Sequence, residues 1–499
     1  MTDTDQNAAF DFLASREPNV TRIDTHAASV FLSGERVLKV KRAVKFTFLD
    51  FSTLEKRKMA CEAEIEVNTP YAPHIYNGVV AITRESDGSL ALDGKGTPVE
   101  YAVSMTRFDE SKTLDHLADN GRIDAALADR LGRAVARAHA IAPVVHDVRF
   151  AATLEDIIAQ NDGELSGFPD LFDAAAVKAL TAASRKALAR LRPLIETRVR
   201  EGCVRRCHGD LHLGNLVLID NEPMLFDAIE FNDKFAVIDR FYDLAFLLMD
   251  LIERDLAAAA GIVLNRYLDD TAHDADLEAL ALLPLLMSLR AAIRAKVTAA
   301  RPNRDAVLDQ QARGYFALAE KLMAPPPPKL VAVGGLSGTG KSVLAGALVP
   351  HLPPLPGAIW LRSDVIRKRL FGKCDTDRLG PEGYTAAVTA EVYATLAARA
   401  ARILAAGHSA IADAVFARAD ERTQIEQAAP QAFHGLFLTA ALDTRLARVG
   451  GRKSDASDAD ATIARAQEDF DLGGLSWHEV DASGTPEETL AKTRAALER

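Results

Sequence analysis

His208-Gly209-Asp210-Leu211-His212-Leu213-Gly214-Asn215, followed twelve residues later by Asp227 in Leu225-Phe226-Asp227-Ala228-Ile229-Glu230, is the stretch that decides how the N-terminal part of the chain folds. Phosphoryl transfer to a hydroxyl needs a group that takes or orients the hydroxyl proton, metal ions on the phosphates, and a cation on the α/β oxygens. Asp210 has the spacing of the base, and Asn215, five residues on, offers an amide oxygen to a metal. Asp227 ends the next strand, where it can hold the metal that bridges the β- and γ-phosphates. His208 reads as a brace for the loop, and His212 as a loop filler.

Working outward, residues 216–229 form two apolar runs around the polar turn Asn221-Glu222-Pro223, the pattern of a hairpin. Upstream, residues 20–107 read as strands with one charged helix at 53–69, and 30–40 as a hairpin turned at Ser33-Gly34. From Lys112 to Val199 and again from Phe241 to Leu322 the apolar spacing is helical. A small β-rich lobe followed by a helical lobe that carries a catalytic hairpin predicts a two-lobed α+β architecture. Pro325-Pro326-Pro327-Pro328 cannot continue a helix and favours an extended spacer, so the boundary is placed there, between domains 1–324 and 329–499.

Beyond the prolines lies Gly335-Leu336-Ser337-Gly338-Thr339-Gly340-Lys341-Ser342, the full spacing of a phosphate-binding loop, between an apolar strand and a helix-forming run. The glycines let successive N–H groups turn inward at a helix N-terminus. Lys341 is expected on the β- and γ-phosphates and the Ser342 hydroxyl on Mg²⁺, with Gly335, Ser337, Gly338, Thr339 and Gly340 completing the cradle. Strands and helices then alternate to the end of the chain, which predicts an α/β domain with a parallel sheet.

The first motif resembles the catalytic loop of the aminoglycoside phosphotransferase/choline kinase branch of the protein-kinase-like fold, over about residues 20–320. Asp239 and Asp243 match acidic positions of that branch and, as residues, read as helix caps or braces of the loop. The resemblance implies a lysine on the third strand, Lys39 or its neighbour of like parity Lys41, and a helix partner, Glu64 or Glu62. It puts adenine near 104–107. Two departures separate the chain from protein kinases: Asp227 has no Gly two residues later, and the first lobe has no G-x-G-x-x-G loop.

The second motif is similar to AAA-type P-loop kinases of the gluconate kinase, zeta toxin and polynucleotide kinase group. That likeness implies that Asp364 serves as base on an acceptor hydroxyl and that Arg367, in Asp364-x-x-Arg367, holds an acceptor anion. Asp413, at the end of the third strand, would hold metal-bound water or substrate, and Arg445, Arg448 and Arg452 resemble a lid over the phosphates.

With 499 residues and a net charge of −11, the chain is large enough for two or three cores and argues against nucleic-acid or anionic-membrane partners. No signal-peptide pattern and no apolar run of spanning length is present, which gives a cytoplasmic expectation. Cys203 and Cys207 beside His208 lack a second Cys/His pair at zinc spacing, so the four cysteines read as reduced thiols. The combined expectation is a bifunctional ATP- and Mg²⁺-dependent phosphotransferase with two sites and small-molecule acceptors, and no obligate protein partner. The alternatives are a single N-terminal kinase regulated by an ATP-binding P-loop domain, and a nucleic-acid 5′-end kinase.

Overall fold

The structure is a computed structural model that describes residues 3–46, 49–146, 148–273, 275–450, 457–458 and 460–497, with side chains from residue 6 onward. By contact it forms two units: 1–167 with 185–254, and 168–184 with 255–499.

The first unit begins with a helix, Asp3–Ser15, and an antiparallel sheet of six strands: β1 (Thr21–Asp24), β2 (Ala28–Ser33), β3 (Arg36–Lys41), β4 (Tyr76–Arg84), β5 (Leu90–Leu92) and β6 (Thr97–Thr106). Their order is β1-β2-β3-β6-β4-β5. The β2–β3 hairpin turns where it was expected, with Gly34 at φ +53. Phe31, Leu38, Val40, Ile82 and Ala102 face one apolar cluster that the helix Asp3–Ser15 covers with Ala9, Phe10 and Leu13. Val37, Val103 and Met105 face a second cluster on the opposite side, shared with Cys61 of the helix Leu54–Asn68. The alternation of strand side chains thus puts the N-terminal helix and Leu54–Asn68 on opposite faces. Thr53 caps Leu54–Asn68 by accepting from Lys56 N.

The helical lobe holds two further ladders, β7 (Val204–Arg206) with β10 (Val237–Asp239), and the hairpin β8 (Leu216–Ile219) with β9 (Glu222–Leu225). Asp220 and Asn221, at φ +49 and +66, make the hairpin turn in the left-handed region that Asp and Asn tolerate. The helix Arg240–Glu253 is buried along nearly its whole length.

The second unit contains a five-stranded sheet of β11 (Leu330–Gly335), β12 (Ile359–Arg362), β13 (Ala410–Asp413), β14 (Phe433–Thr439) and β15 (His478–Asp481). The order is β12-β13-β11-β14-β15, and every pair is parallel, as the alternation of apolar runs and helices predicts. Its strands are near-continuous apolar runs because helices cover both faces. The loop 335–342 follows the central strand β11, at the C-terminal edge where open parallel sheets bind ligands.

The helices between 257 and 323 group with this sheet, so the contact boundary falls at Arg254/Asp255 and not at the four prolines. One of them, Ala257–Thr271, seals the free edge of β12: Asn265 Nδ2 donates to Ala358 O at 3.0 Å and Asn265 Oδ1 accepts from Trp360 N at 2.7 Å. Asp269 pairs with Arg369 at 2.9 Å and Arg266 with Asp375 at 3.3 Å, so the same helix also grips the segment 363–375. Among the described residues no helix is long and apolar enough to cross a membrane.

Candidate phosphoryl-transfer sites

In the first unit, the loop 208–215 is shaped by acids from the buried helix behind it. Asp243, fully buried, accepts from Gly209 N at 2.9 Å and His208 N at 3.1 Å, and lies 3.2 Å from His139 Nε2. Asp250 accepts from Leu213 N at 2.9 Å. Gly209 sits at φ +85, and a Cβ there would come within 2.8 Å of Phe235 O, so the turn requires glycine. His208 contacts Phe226 O at 2.8 Å through Nε2, while Nδ1 accepts from Asp210 N at 3.3 Å, which fixes the neutral tautomer. Burial lowers the His208 pKa, against the pull of Asp243. It therefore braces the loop, as its position suggested.

Asn215 Nδ2 donates to Asp210 O at 2.9 Å and to Asp210 Oδ2 at 3.1 Å. That use of the nitrogen leaves the amide oxygen for a cation. His212 Nε2 lies 3.4 Å from Asp210 Oδ2, so the residue read as a filler borders the proposed base. Asp239 belongs to the frame: it caps Arg240–Glu253 through Phe241 N and pairs with the buried Arg198 at 2.7 Å.

Lys39, on β3, reaches Glu64 Oε1 at 2.9 Å and Asp227 Oδ1 at 2.5 Å. Glu62 is turned outward toward Lys58, so Glu64 is the helix partner. Lys41 joins the same cluster, 2.5 Å from Glu64 Oε2 and in contact with Glu230. Asp227 adopts φ +61 and its N–H donates to Tyr76 Oη at 3.0 Å. Its partial burial would raise its pKa, but Lys39 outweighs that and holds it below the usual carboxylate range. Burial does raise Glu230 despite Lys41. An ionised Asp227 and the Asn215 amide oxygen would offer only oxygen donors, of the kind Mg²⁺ prefers. Sequence reasoning missed Glu230; its signal was an acidic residue three positions after Asp227 with a second lysine of β3 left unassigned.

His139, Cys207 and Asp243 have potential ligand atoms within 4.8 Å of one another. Both Asp243 oxygens already accept backbone N–H groups, and Cys207 Sγ donates to Ile238 O at 3.6 Å. This is a hydrogen-bonded brace, and burial pushes the Cys207 thiol well up, away from the thiolate a metal would need.

In the second unit the loop is shaped by backbone. Gly335, Gly338 and Gly340 take φ of +138, +87 and +96, and a Cβ on Gly338 would come within 2.6 Å of Arg445 O. Lys341 and Ser342 open the helix Lys341–Leu348, and Lys341 Nζ donates to Leu336 O at 3.2 Å. Ser337 and Thr339 support the loop: Ser337 N donates to Gln467 Oε1 at 2.6 Å, and Thr339 Oγ1 to Leu336 O at 2.8 Å. Arg445 is buried below it, donating to Ser337 O at 2.9 Å and Ala464 O at 2.9 Å and pairing with Glu468. A lid role does not fit that position, so Arg445 is a strut of the loop.

Arg448 spans from Thr339 O (3.4 Å) to Gly484 O (3.1 Å) and borders a cavity of about 380 Å³ against Gly340, Leu344, Gly484 and Pro486. The 484–486 wall carried no signal in the sequence. Arg452 lies outside the described residues.

Asp364 lies in the first turn of the helix Ser363–Leu370. Burial, then the charge of Asp413, raise its pKa against Lys341 and the nearby arginines. Asp413 is buried at the end of β13. With the Ser342 hydroxyl these carboxylates again offer only oxygen donors, which suits Mg²⁺. Arg367 donates to Gly383 O at 2.6 Å and its guanidinium lies over the Tyr384 ring, 5.0 Å from the centroid.

Residues 50–283 match the model of the phosphotransferase enzyme family, and residues 330–471 match a model described as AAA domain. An uncharacterized protein of Mycobacterium tuberculosis is 28% identical over 495 residues, covering 95% of each chain. Among solved structures, a choline/ethanolamine kinase family protein from Mesorhizobium loti aligns at 15% identity over 64% of this chain and 95% of that one, with a TM-score of 0.37. A gluconokinase from Sinorhizobium meliloti aligns at 20% identity over 34% of this chain and 93% of that one, with a TM-score of 0.27.

Proposed function

We propose that this chain, which joins a phosphotransferase-family segment to an AAA-family P-loop segment, performs two separate ATP-dependent phosphoryl transfers to hydroxyl groups of small molecules. The observation that carries the reading is that each segment holds its own candidate base next to its own candidate cation. In the first, Asp210 stands with Asn215, and Lys39 bridges Glu64 and Asp227. In the second, Asp364 lies in the field of Lys341 and Asp413 at the mouth of a phosphate loop.

In each transfer an acceptor oxygen forms a bond to the γ-phosphorus of ATP, the bond to the β-bridging oxygen breaks, and ADP leaves. The acceptor proton passes to Asp210 in the first site and to Asp364 in the second. The raised pKa of Asp364 makes it a stronger base than an ordinary carboxylate. Mg²⁺, held by Asn215 and Asp227 in one site and by Ser342 with Asp413 in the other, would neutralise phosphate charge. Lys39 and Lys341 each orient phosphate oxygens, and Arg448 closes the side of the second nucleotide cavity.

Asp210→Ala and Lys341→Ala, made separately in the full chain and supplied with a library of hydroxylated metabolites, test this. Each variant is expected to lose one set of products and keep the other. If Asp210→Ala removes all phosphoryl transfer for every acceptor, the P-loop segment is regulatory and the two-transfer reading fails. The grip of Asp269 and Arg266 on the 363–375 segment is what favours that second reading.

A further inference from the structure

We propose that Lys41 is a positioning residue of the first site, the fixed counter-ion of Glu64 and Glu230 that leaves Lys39 free to exchange Asp227 for phosphate. This rests on the reading that Mg²⁺-nucleotide binds between Lys39 and Asp227.

Glu64 is fully buried and divides its two oxygens between two lysines, Oε1 to Lys39 and Oε2 to Lys41. The lysines differ in their second partners. Lys39 reaches Asp227, whose side chain is 45% exposed, whereas Lys41 reaches Glu230, which is 5% exposed. Lys41 itself is 3% exposed and packs against the Phe51 ring, 5.4 Å from the centroid. One lysine therefore stands at the opening and the other is sealed in.

The charges make the division functional. Lys39 and Lys41 face Glu64, Asp227 and Glu230, two cations against three anions. A cation taken up by Asp227 supplies the missing positive charge. What remains is then balanced, with Lys41 on Glu230 and Glu64, and Lys39 on Glu64 with its other N–H bonds available to phosphate. Without Lys41, two buried carboxylates would compete for Lys39. An uncompensated buried charge is costly, so Lys39 would be drawn inward and nucleotide would have to displace it.

Arg57, on the helix Leu54–Asn68 that carries Glu64, is itself spent on the buried Glu100 at 2.8 Å and so does not take over this duty.

The test is calorimetric binding of MgADP to the full chain in a Lys341→Ala background, which silences the second loop. Lys41→Met is expected to weaken binding about tenfold or more, because it strands a buried carboxylate. Glu230→Gln alone is expected to stay within about threefold, and Lys41→Met/Glu230→Gln to return to within about threefold, since it removes one charge of each sign. A purely structural role would not give that rescue. The proposal is overturned if Lys41→Met binds within threefold of its parent, or if the double variant binds no better than the single. Should Lys41→Met not fold, the double variant carries the test: tight binding supports the proposal and a tenfold loss overturns it. Lys39→Met separates the two layers. If it binds MgADP unchanged, the nucleotide reading of this site fails; if it loses binding while Lys41→Met keeps it, only the role of Lys41 falls.

Discussion

The loop 208–215 and the loop 335–342, which the proposed function gives to phosphate chemistry, are held in opposite ways. The first is pinned by side-chain carboxylates, with Asp243 on two backbone N–H groups and Asp250 on a third. Its phosphate-side charges come from a five-residue ionic cluster. The second is pinned by main-chain shape, with three glycines in conformations that other residues avoid, resting on the strut of Arg445. A loop held by charge fails when an acid is changed. A loop held by backbone fails when volume is added.

The largest effect expected from this contrast is at Gly338. A methyl group there meets Arg445 O at 2.6 Å with φ at +87, so both space and conformation forbid it. Gly338→Ala is expected to lower MgADP affinity of the second site by about a hundredfold, the scale of lost strain-free geometry of a few kcal/mol. Binding at the first site should be unchanged. Two-site calorimetry checks this, and equal loss at both sites would mean the loops are not independently supported.

Asp243→Asn tests the other half of the contrast. The carboxamide keeps one acceptor and turns an NH₂ toward a backbone N–H or His139, leaving a buried donor unpaired. The expected cost is about 1–3 kcal/mol of stability by chemical denaturation, with the first-site rate down about tenfold and second-site turnover retained. If the rate falls without loss of stability, Asp243 would have to act on the reacting groups and not on the loop.

These supports were unequally visible in the chain. Gly338 and Lys341 lie inside a motif whose spacing is itself the structure, because the phosphate cradle is made of consecutive residues. The strand-rich character of residues 20–107 and the hairpin before Asp227 were likewise readable from apolar runs and a polar turn, whereas the six-strand order of the sheet was not. Lys41–Glu230 and Asn265–Trp360 were not, since pairs that meet only through the fold have no local signature. The four prolines marked a break in the chain but not in its contacts: the Asn265 amide and the Asp269 carboxylate tie residues before them to β12 and to the helix Ser363–Leu370 after them. Expressing the two halves cut at the prolines would therefore strip β12 of its edge cover, and full-length variants are the better probe.

The acid limb of second-site activity offers a finer test. Asp364 is raised by burial and by the charge of Asp413. As a base it must be ionised, so the second-site rate should rise with pH through its raised pKa, then level. Asp413→Asn removes the like charge but not the burial, so the acid limb of the residual rate should move to lower pH without reaching that of a free carboxylate. The first site, where the proposed base is Asp210, should show no matching displacement. An unmoved limb in Asp413→Asn would break the link between the two carboxylates.

The smallest effect is expected where a side chain stands in for backbone. Asn265 donates to Ala358 O and accepts from Trp360 N, completing the free edge of β12 as a neighbouring strand would. Asn265→Ala leaves both groups to find water at a partly buried edge, a cost of about 1–2 kcal/mol. Thermal or denaturant unfolding of the second unit should report that loss, while MgADP affinity at the 335–342 loop should hold within about twofold, because the glycine conformations and the Arg445 strut do not pass through this edge. An affinity loss as large as that of Gly338→Ala would show that the loop takes its shape from the sheet's outer edge, and the distinction between a charge-held and a backbone-held loop would fall with it.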